Sequence, residues 1–405
     1  MQPEHVLVVG AGLGGLRTAE QLRAAGHQGR ISLVGAETHA PYDRPPLSKQ
    51  VLTGDWEPAK AVLRDLDALD ELGVRVHLGT AAVALRHGER GSIELELSDG
   101  SSLHGDAVVV ATGVTARRLP GQPDSAHVLR TLDDSLALRE VLGTVSSLLV
   151  VGGGFIGAEV ASAAVGRGIA VTVLEAASVP AERALGPVLG ALAARLMTEA
   201  GVDLRTGTSL TGFVDGGVVL ADGSEVTADA VLVGVGSAPQ VAWLPATGPG
   251  GQALDLTHGV SCGPTGRVHG LPGVWAVGDV AAWDGRRTEH WTSAGDQAAA
   301  VAHDILGVDP PAATVPYFWS DQFGLKIQLV GHPDGADEVL PLLGAGLDGG
   351  AIRGTVAGYL SGDRLVAVAG FGAARHLARY RALVADGADR RAALELAAAQ
   401  SAPRA

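Results

Sequence analysis

A glycine-rich signature occurs twice in this 405-residue chain, about 142 residues apart. Its copies are V-L-V-V-G-A-G-L-G-G, residues 6–15, and L-L-V-V-G-G-G-F-I-G, residues 148–157. In each copy an apolar strand runs into G-x-G-x-x-G, where a pyrophosphate can approach the backbone and the positive end of a helix dipole. One match is weak in a chain with 58 glycines, but each copy has a strand before it, a helix after it and an acid about 25 residues on. The sequence therefore predicts two dinucleotide sites.

Each glycine of the signature has a separate physical role. The first makes the tight turn, the second lets the pyrophosphate approach the backbone, and the third lets helix and strand pack closely. In the two copies these positions are Gly10 and Gly152, Gly12 and Gly154, and Gly15 and Gly157.

Strand-like apolar runs alternate with amphipathic stretches through most of the chain. The runs are residues 6–9, 31–34, 107–111, 148–151, 169–174, 230–235 and 274–277. This alternation predicts an α/β fold with two Rossmann-like, doubly wound domains. Hairpin-like strands at 318–330 and 355–369, followed by an Ala/Arg-rich helical tail, predict a C-terminal α+β domain. We expect three domains. The first is discontinuous and comprises residues 1–113 and 240–312. The second comprises residues 114–239, and the third comprises residues 313–405.

Composition excludes several classes of protein. At 46% hydrophobic and 18% charged, the chain is typical of a well-buried globular protein, and its net charge of −14 argues against nucleic acid or anionic membranes as partners. No apolar run reaches the ~18 residues of a spanning helix, and the first strand starts at about Val6, so we expect a soluble, cytoplasmic protein. Cys262 is the only cysteine, which excludes a structural disulfide, a zinc cluster and a redox-active cysteine pair; no metal site is predicted.

An acid follows the second strand of each nucleotide-binding unit. Glu175 ends the run 169–174, where a carboxylate can accept both ribose hydroxyls, and no arginine follows it to bind a 2′-phosphate. This favours NADH over NADPH. In the first unit Gly35 takes the equivalent position, and Glu37 is the nearest acid. A solvated strand-end carboxylate is the alternative for both.

The segment P-Y-D-R-P-P-L-S-K, residues 41–49, is a proline-stiffened loop. Its Lys49 could stabilise negative charge on a flavin as the ring is reduced, and Arg44 would suit a diphosphate. Glu159, in the first turn after the second signature, either interacts with the helix dipole or pairs with Lys49 at the junction of nicotinamide and flavin. The Gly278-Asp279 turn offers an acid for the ribityl hydroxyls of a flavin.

Taken together, these motifs make the chain resemble the flavin-dependent ferredoxin, rubredoxin and putidaredoxin reductases of the pyridine nucleotide-disulfide oxidoreductase superfamily. The similarity covers nearly the whole chain. Besides the glycine signatures and residues 41–49, it rests on residues 111–113, 130–134, 278–279, 289–291 and 317–322. Ala36 departs from the family pattern, because many relatives have an acid there.

The resemblance implies which residues contact each cofactor. FAD contacts are expected at Gly10, Gly12, Gly14, Gly15, Glu37, Arg44, Lys49, Val83, Arg130, Asp279 and Trp291. NADH contacts are expected at Gly152, Gly154, Ile156, Gly157, Glu175, Arg183 and Gly236. The catalytic pair would be Lys49 and Glu159, and Trp319 of the third domain would lie near the flavin; from the residues alone, Trp319 is a core residue and Arg183 a surface one.

The expected activity is NADH:ferredoxin reduction: hydride passes from NADH to FAD, and single electrons pass to a small [2Fe-2S] or similar ferredoxin that serves a cytochrome P450 or other oxygenase. Two alternatives stay open. One is a flavin NADH oxidase or disulfide reductase, which the missing cysteine disfavours. The other is an NADH-sensing flavoprotein in the manner of apoptosis-inducing-factor relatives.

Overall fold

The structure, a computed structural model, describes residues 2–88, 91–309, 311–312 and 314–401. These residues form two compact units. Unit 1 comprises Met1–Asp43, Ala59–Thr115 and Ser237–Thr314, and unit 2 comprises Arg44–Pro58, Ala116–Gly236 and Val315–Ala405. The segments predicted as second and third domains thus both contribute to unit 2, together with residues 44–58. Residues 310 and 313, beside the predicted start of the third domain, lie outside the described residues.

A five-stranded parallel sheet forms the centre of unit 1. Its strands are β1 His5–Val9, β2 Arg30–Val34, β3 Val74–His77, β7 Ala107–Val110 and β18 Val274–Ala276, in the spatial order β18-β7-β1-β2-β3. The strand order reverses at β1, because β2 and β7 pair on its two sides. A reversal of this kind opens a crevice at the carboxyl ends of the strands, and the first glycine turn follows β1 there.

The helices of unit 1 are α1 Leu13–Ala24, α3 Leu66–Glu71 and α7 Trp291–Leu306. Leu16 and Leu22 of α1 are fully buried and pack with Val301 of α7 and the strand side chains in one apolar cluster. Burial of each leucine contributes roughly 2 kcal/mol. This packing fixes the start of α1 against the sheet.

Unit 1 also contains two three-stranded sheets. One is antiparallel and contains β4 Ala82–His87, β5 Ile93–Leu97 and β6 Ser102–Gly105. The other is mixed and contains β17 Val260–Cys262, β19 Ala281–Trp283 and β20 Arg286–Arg287, with β17 parallel and β20 antiparallel to β19. Two further strands lie where the chain passes from one unit to the other, β8 Val114–Ala116 and β16 Ser237–Pro239.

In unit 2 the second signature lies in a four-stranded parallel sheet. The strands are β9 Ser147–Val151, β10 Ala170–Leu174, β11 Asp203–Arg205 and β15 Ala230–Val233, in the spatial order β11-β10-β9-β15. A small antiparallel sheet follows, with β12 Leu210–Val214, β13 Gly217–Leu220 and β14 Glu225–Thr227. The helices are α2 Gln50–Thr53, α4 Leu132–Val141, α5 Phe155–Val165 and α6 Glu182–Glu199.

The C-terminal part of unit 2 is a five-stranded antiparallel sheet followed by two helices. Its elements are β21 Tyr317–Gln322, β22 Leu325–Gly331, β23 Glu338–Leu343, β24 Thr355–Ser361, β25 Arg364–Phe371, α8 Ala374–Ala385 and α9 Arg390–Ser401. The strand order is β21-β22-β25-β24-β23. Leu189 and Leu192 of α6 pack into the same apolar cluster as Ile327 and Phe371 of this sheet. This shared core explains why both parts lie in one compact unit.

The predicted fold class is confirmed: each glycine signature joins a parallel strand to a helix, and the C-terminal part is α+β. Each of the seven predicted apolar runs contains or overlaps a strand of the two parallel sheets. None of the helices within the described residues combines the length and apolarity that a membrane-spanning segment needs.

Candidate functional site

The first glycine turn requires glycine at its two ends. Gly10 has φ +118°, and a Cβ added there would lie 2.1 Å from the carbonyl oxygen of Ala111. A Cβ at Gly15 would lie 1.8 Å from the carbonyl oxygen of Gly10. At Gly12, by contrast, the space is open to 4 Å, and no side chain caps the start of α1. The first-turn N–H groups of α1 are therefore free to bind an anion, as a dinucleotide pyrophosphate requires.

The second turn repeats this geometry. A Cβ at Gly152 would lie 2.4 Å from the carbonyl oxygen of Gly234, whereas Gly154 again faces open space at the uncapped start of α5. Gly157 is closed in by the carbonyl oxygen of Gly152, which a Cβ would approach to 2.1 Å. Ile156, in the first turn of α5, is 44% exposed, and its contact with a nucleotide stays a prediction.

Glu175 follows β10 and is anchored beside the second turn. Its Oε2 accepts a hydrogen bond of 2.8 Å from the backbone N–H of Gly153, and its Oε1 accepts one of 2.8 Å from Ala177. The two bonds hold the carboxylate at the carboxyl end of the strand, the position from which an acid binds adenosine ribose hydroxyls. Gly236, the other predicted contact after β15, has φ +103° and open space around it.

In the first nucleotide-binding segment, the side-chain sizes at the two corresponding positions are reversed. Ala11 stands where the second unit has Gly153, and Gly35 stands where it has Glu175. A Cβ on Gly35 would lie 2.7 Å from that of Ala11, so this site has no room for an acid. Glu37 lies two residues further on, half-buried, and its Oε2 accepts a hydrogen bond of 2.5 Å from the Tyr42 hydroxyl. Its role as ribose ligand stays a prediction.

The Gly278-Asp279 turn lies beside the first signature. A Cβ at Gly14 would come within 3.3 Å of Cγ2 of Val277 and 3.9 Å of Cα of Gly278. The backbone N–H of Gly278 donates to Oε1 of Gln297 at 2.7 Å, which fixes the turn against α7. The half-buried Asp279 is thereby placed near the first dinucleotide site, within unit 1.

Two further predicted flavin contacts lie in unit 1 with large exposed areas. Trp291 is 36% exposed at the start of α7, and its Nε1 donates to Oδ1 of Asp43 at 2.7 Å. Val83 on β4 is 45% exposed. Their contact with a flavin stays a prediction.

Lys49 and Glu159 form a close ion pair in unit 2. Nζ of Lys49 lies 2.7 Å from Oε2 of Glu159, which is 4% exposed. The hydroxyl of Ser48 donates to the same oxygen, while Oε1 accepts from the Ser320 hydroxyl at 2.5 Å and from the Asp321 backbone N–H at 3.2 Å. The buried carboxylate is thus hydrogen-bonded on both oxygens, as a buried charge must be. The pairing raised by the sequence is present, and its catalytic role stays a prediction.

Arg44 and Arg130 lie together in unit 2. Nη1 of Arg44 donates to the carbonyl oxygen of Arg130 at 2.6 Å, and the backbone N–H of Arg130 donates to Oδ2 of Asp134 at 2.9 Å. The R-T-L-D-D motif also contains a capping box, in which Thr131 and Asp134 cap α4 reciprocally. Part of that motif is therefore a helix start, a signal that its T-x-x-D spacing carries in the sequence.

Trp319 and Arg183 have different surroundings. Trp319 stacks on Tyr317 with ring centroids 5.8 Å apart, and Nζ of Lys326 lies 5.9 Å from its ring. Its side chain is half-buried, and its position near the flavin stays a prediction. Arg183 is exposed in the first turn of α6, so its proposed contact with a phosphate depends on ligand binding.

Cys262 lies in the apolar core of unit 1 and is fully buried. Burial raises the pKa of its thiol to about 12, so the thiolate is essentially absent at neutral pH. The sole cysteine of the chain therefore offers no accessible thiolate in the folded protein.

Two hydrogen-bond donors to Glu159 were not predicted from the sequence. Ser48 and Ser320 both donate to Glu159, yet they lie 111 and 161 residues from it. No spacing rule connects residues so far apart, and single serines are too common to stand out.

Comparison with known proteins gives matches over most of the chain. The family described as pyridine nucleotide-disulphide oxidoreductase matches residues 4–298, and the reductase C-terminal family matches residues 317–402. The ferredoxin reductase component of chlorobenzene dioxygenase from Cupriavidus sp. (strain PS12) is 39% identical over 360 residues, 86% of this chain and 85% of that protein. The chain belongs to the ferredoxin reductase family.

Other members of the ferredoxin reductase family are similar over still more of the chain. Putidaredoxin reductase CamA from Pseudomonas putida is 34% identical over 390 residues, 90% of this chain and 88% of that protein. A solved structure of the covalent putidaredoxin reductase–putidaredoxin complex contains a chain that matches with a TM-score of 0.88 and 31% identity, covering 98% of this chain and 99% of that one. The resemblance inferred from the motifs is confirmed.

Proposed function

We propose that this protein is an NADH-dependent ferredoxin reductase, with FAD at the first glycine turn and NADH at the second. When bound, the cofactors supply hydride transfer from NADH to FAD and release of single electrons to an iron–sulfur protein. The observation that carries the proposal is the repetition of one geometry: each glycine turn opens an uncapped helix with free space at its second glycine.

The residues of the chain hold and tune these cofactors. The Lys49 ammonium, fixed by Glu159, stabilises negative charge that develops on a neighbouring ring during reduction. The Glu175 carboxylate accepts hydrogen bonds from the ribose hydroxyls of NADH and repels the 2′-phosphate of NADPH. The Asp279 carboxylate accepts hydrogen bonds from the ribityl hydroxyls of the flavin. Hydrogen bonds or ion pairs hold the Lys49 and Glu175 side chains and the backbone of the Asp279 turn, so little reorganisation is needed on binding.

The burial of Cys262 favours a one-electron acceptor over a disulfide substrate. Disulfide reductases pass electrons through a reactive cysteine, and the single cysteine here is buried with a raised pKa. Relatives named as ferredoxin reductase components of chlorobenzene and benzene dioxygenase systems, and putidaredoxin reductase, point to a small ferredoxin instead. We propose a [2Fe-2S] or similar ferredoxin as the direct partner and a cytochrome P450 or other oxygenase as the final consumer of electrons.

Anaerobic reduction tests the proposal directly. Purified protein should be yellow, and its flavin absorbance should bleach on addition of NADH and much less readily with NADPH. Electrons should then pass rapidly to a [2Fe-2S] ferredoxin, measured by cytochrome c reduction through that ferredoxin. A long-lived reduced complex that passes electrons slowly to every acceptor would support an NADH sensor, and rapid NADH consumption by oxygen alone would support an oxidase.

We also place the enzyme in the cytoplasm, where NADH is available and a lone thiol stays reduced. Cell fractionation checks this placement. Recovery of the protein with a periplasmic marker enzyme would contradict it.

A further inference from the structure

Glu159 is held from both sides by elements far apart in the sequence. Residues 48 and 49 supply donors to its Oε2, and β21 supplies donors to its Oε1. The closer donor to Oε1 is the hydroxyl of Ser320, a residue with no exposed surface. The other, the backbone N–H of Asp321, lies at 3.2 Å, so Ser320 makes the stronger bond.

The direction of this bond is fixed by chemistry. An ionised carboxylate only accepts, so the single hydroxyl proton of Ser320 must point to Glu159. Nε2 of Gln322 lies 2.9 Å from the same hydroxyl oxygen and must therefore donate to it. The result is a one-way chain of donors, from the Gln322 amide through Ser320 to Glu159, in a buried setting where such bonds reinforce each other.

The position of the Lys49 ammonium depends on how the two oxygens of Glu159 are hydrogen-bonded. The ammonium has three N–H donors, and among the described residues Oε2 of Glu159 at 2.7 Å and the carbonyl oxygen of Pro45 at 3.2 Å account for two of them. If Oε1 lost Ser320, it would keep only the longer bond from the Asp321 backbone N–H, and the flexible Lys49 ammonium could swing from Oε2 to replace the hydroxyl. A Lys49 ammonium drawn onto both oxygens would have fewer N–H donors for a bound flavin, and its positive charge would lie closer to the carboxylate.

We propose that Ser320 is a positioning residue: it engages Oε1 of Glu159, and so keeps Lys49 available to the flavin. This inference rests on the proposed function, because it assigns to Lys49 the stabilisation of flavin charge. It also gives the C-terminal sheet a part in cofactor reduction, since Ser320 belongs to β21.

The chain offers a matched control. Ser162, three residues after Glu159 on α5, accepts a hydrogen bond of 2.8 Å from the backbone N–H of Phe323 through its hydroxyl oxygen. Ser162→Ala therefore removes another hydroxyl contact between α5 and the β21–β22 hairpin without touching Glu159. A purely structural effect would be shared by both alanine variants.

The experiment compares the parent, Ser320→Ala, Ser320→Thr and Ser162→Ala, each with FAD bound. Flavin reduction by saturating NADH is followed by anaerobic stopped flow, the midpoint potential of the flavin by dye equilibration, and stability by thermal unfolding. Ser320→Ala should reduce about tenfold more slowly, the size expected for one lost hydrogen bond to a charged group, with a more negative potential. Ser320→Thr should recover both values, and Ser162→Ala should keep the parent's rate and potential.

Each other outcome is decisive. Parent-like rate and potential in Ser320→Ala would overturn the inference and leave the proposed function intact, and so would equal changes in Ser162→Ala. A parent that NADH does not reduce would overturn the proposed function, and this inference with it. If Ser320→Ala is too unstable to purify, Ser320→Cys keeps the volume with a weaker donor, and its rate and potential should change in the same direction.

Discussion

The backbone N–H of Gly153 donates a hydrogen bond of 2.8 Å to Oε2 of Glu175. A Cβ at residue 153 would lie 3.2 Å from that oxygen, tighter than ordinary contact, so the glycine both supplies the donor and leaves room for the acid. The second glycine turn is thus built around the Glu175 carboxylate, which we propose selects NADH. In the first glycine turn the side-chain sizes are reversed: Ala11 stands where the second turn has Gly153, and Gly35 stands where it has Glu175. No acid therefore follows β2 directly.

Glu175→Ala should narrow the preference for NADH over NADPH by roughly tenfold or more, because it removes both the ribose contacts and the repulsion of the 2′-phosphate. The measurement is kcat/KM for each nucleotide with ferricyanide as acceptor. Asp203→Ala, which removes an exposed acid from the neighbouring strand β11, is the matched control and should keep the parent's ratio. An unchanged ratio in Glu175→Ala would show that another residue selects the nucleotide.

Lys49→Met should keep FAD bound but slow its reduction by NADH, because the ammonium acts on charge that develops during reduction. It should also lower the melting temperature, since the buried Glu159 loses its counter-ion, a loss of about 3–5 kcal/mol in comparable pairs. Lys49→Met with Glu159→Gln should recover stability and not rate. Lys60→Met, at an exposed lysine, is the control. Parent-like reduction in Lys49→Met would make the ion pair structural only.

Asp279→Ala should lower FAD retention rather than the rate of the flavin that remains, because its contacts are expected in the resting state. The turn lies beside the first signature and its backbone is fixed by Gln297, so the substitution should remove the proposed flavin contact and leave that hydrogen bond in place. The ratio of flavin to protein absorbance after gel filtration measures retention. Full flavin content would remove Asp279 from the list of ligands.

Cys262→Ser should leave NADH-dependent turnover unchanged. The thiol is fully buried and its pKa is raised to about 12, so it stays protonated up to pH values well above neutral. Native protein should also react with a thiol reagent only after unfolding, whereas denatured protein should react at once. Rapid labelling of the native state, or loss of turnover in Cys262→Ser, would reopen a thiol mechanism.

Ferredoxin docking has to overcome the net charge of −14, since ferredoxins are usually acidic. Arg375 and Arg379 are exposed and one turn apart on α8, whereas Arg381 donates to the carbonyl oxygen of Val315 and Arg287 pairs with Glu289. Arg375→Glu with Arg379→Glu should raise the KM for ferredoxin several-fold and flatten its salt dependence, leaving dye reduction by NADH unchanged. A KM equal to the parent's would place docking elsewhere.

The sequence by itself determined the parts that depend on neighbouring residues. A strand, a glycine turn and a helix are encoded within ten or twenty residues, so both nucleotide turns and the α/β class could be predicted from local pattern alone. The position of Glu175 at the carboxyl end of β10 could be predicted because it follows the apolar run directly. The lone cysteine was enough to exclude dithiol chemistry, because that chemistry needs two thiols.

Only the tertiary structure decided how the carboxylate of Glu159 is held. Ser48 and Ser320 reach it from sequence positions more than a hundred residues away, and long-range packing of β21 against α5 leaves no periodic trace in the chain. Packing of α6 on the C-terminal sheet, between segments far apart in the chain, likewise has no local signal in the sequence. Local propensity specifies elements, whereas burial and hydrogen-bond satisfaction across the fold choose which side chains meet.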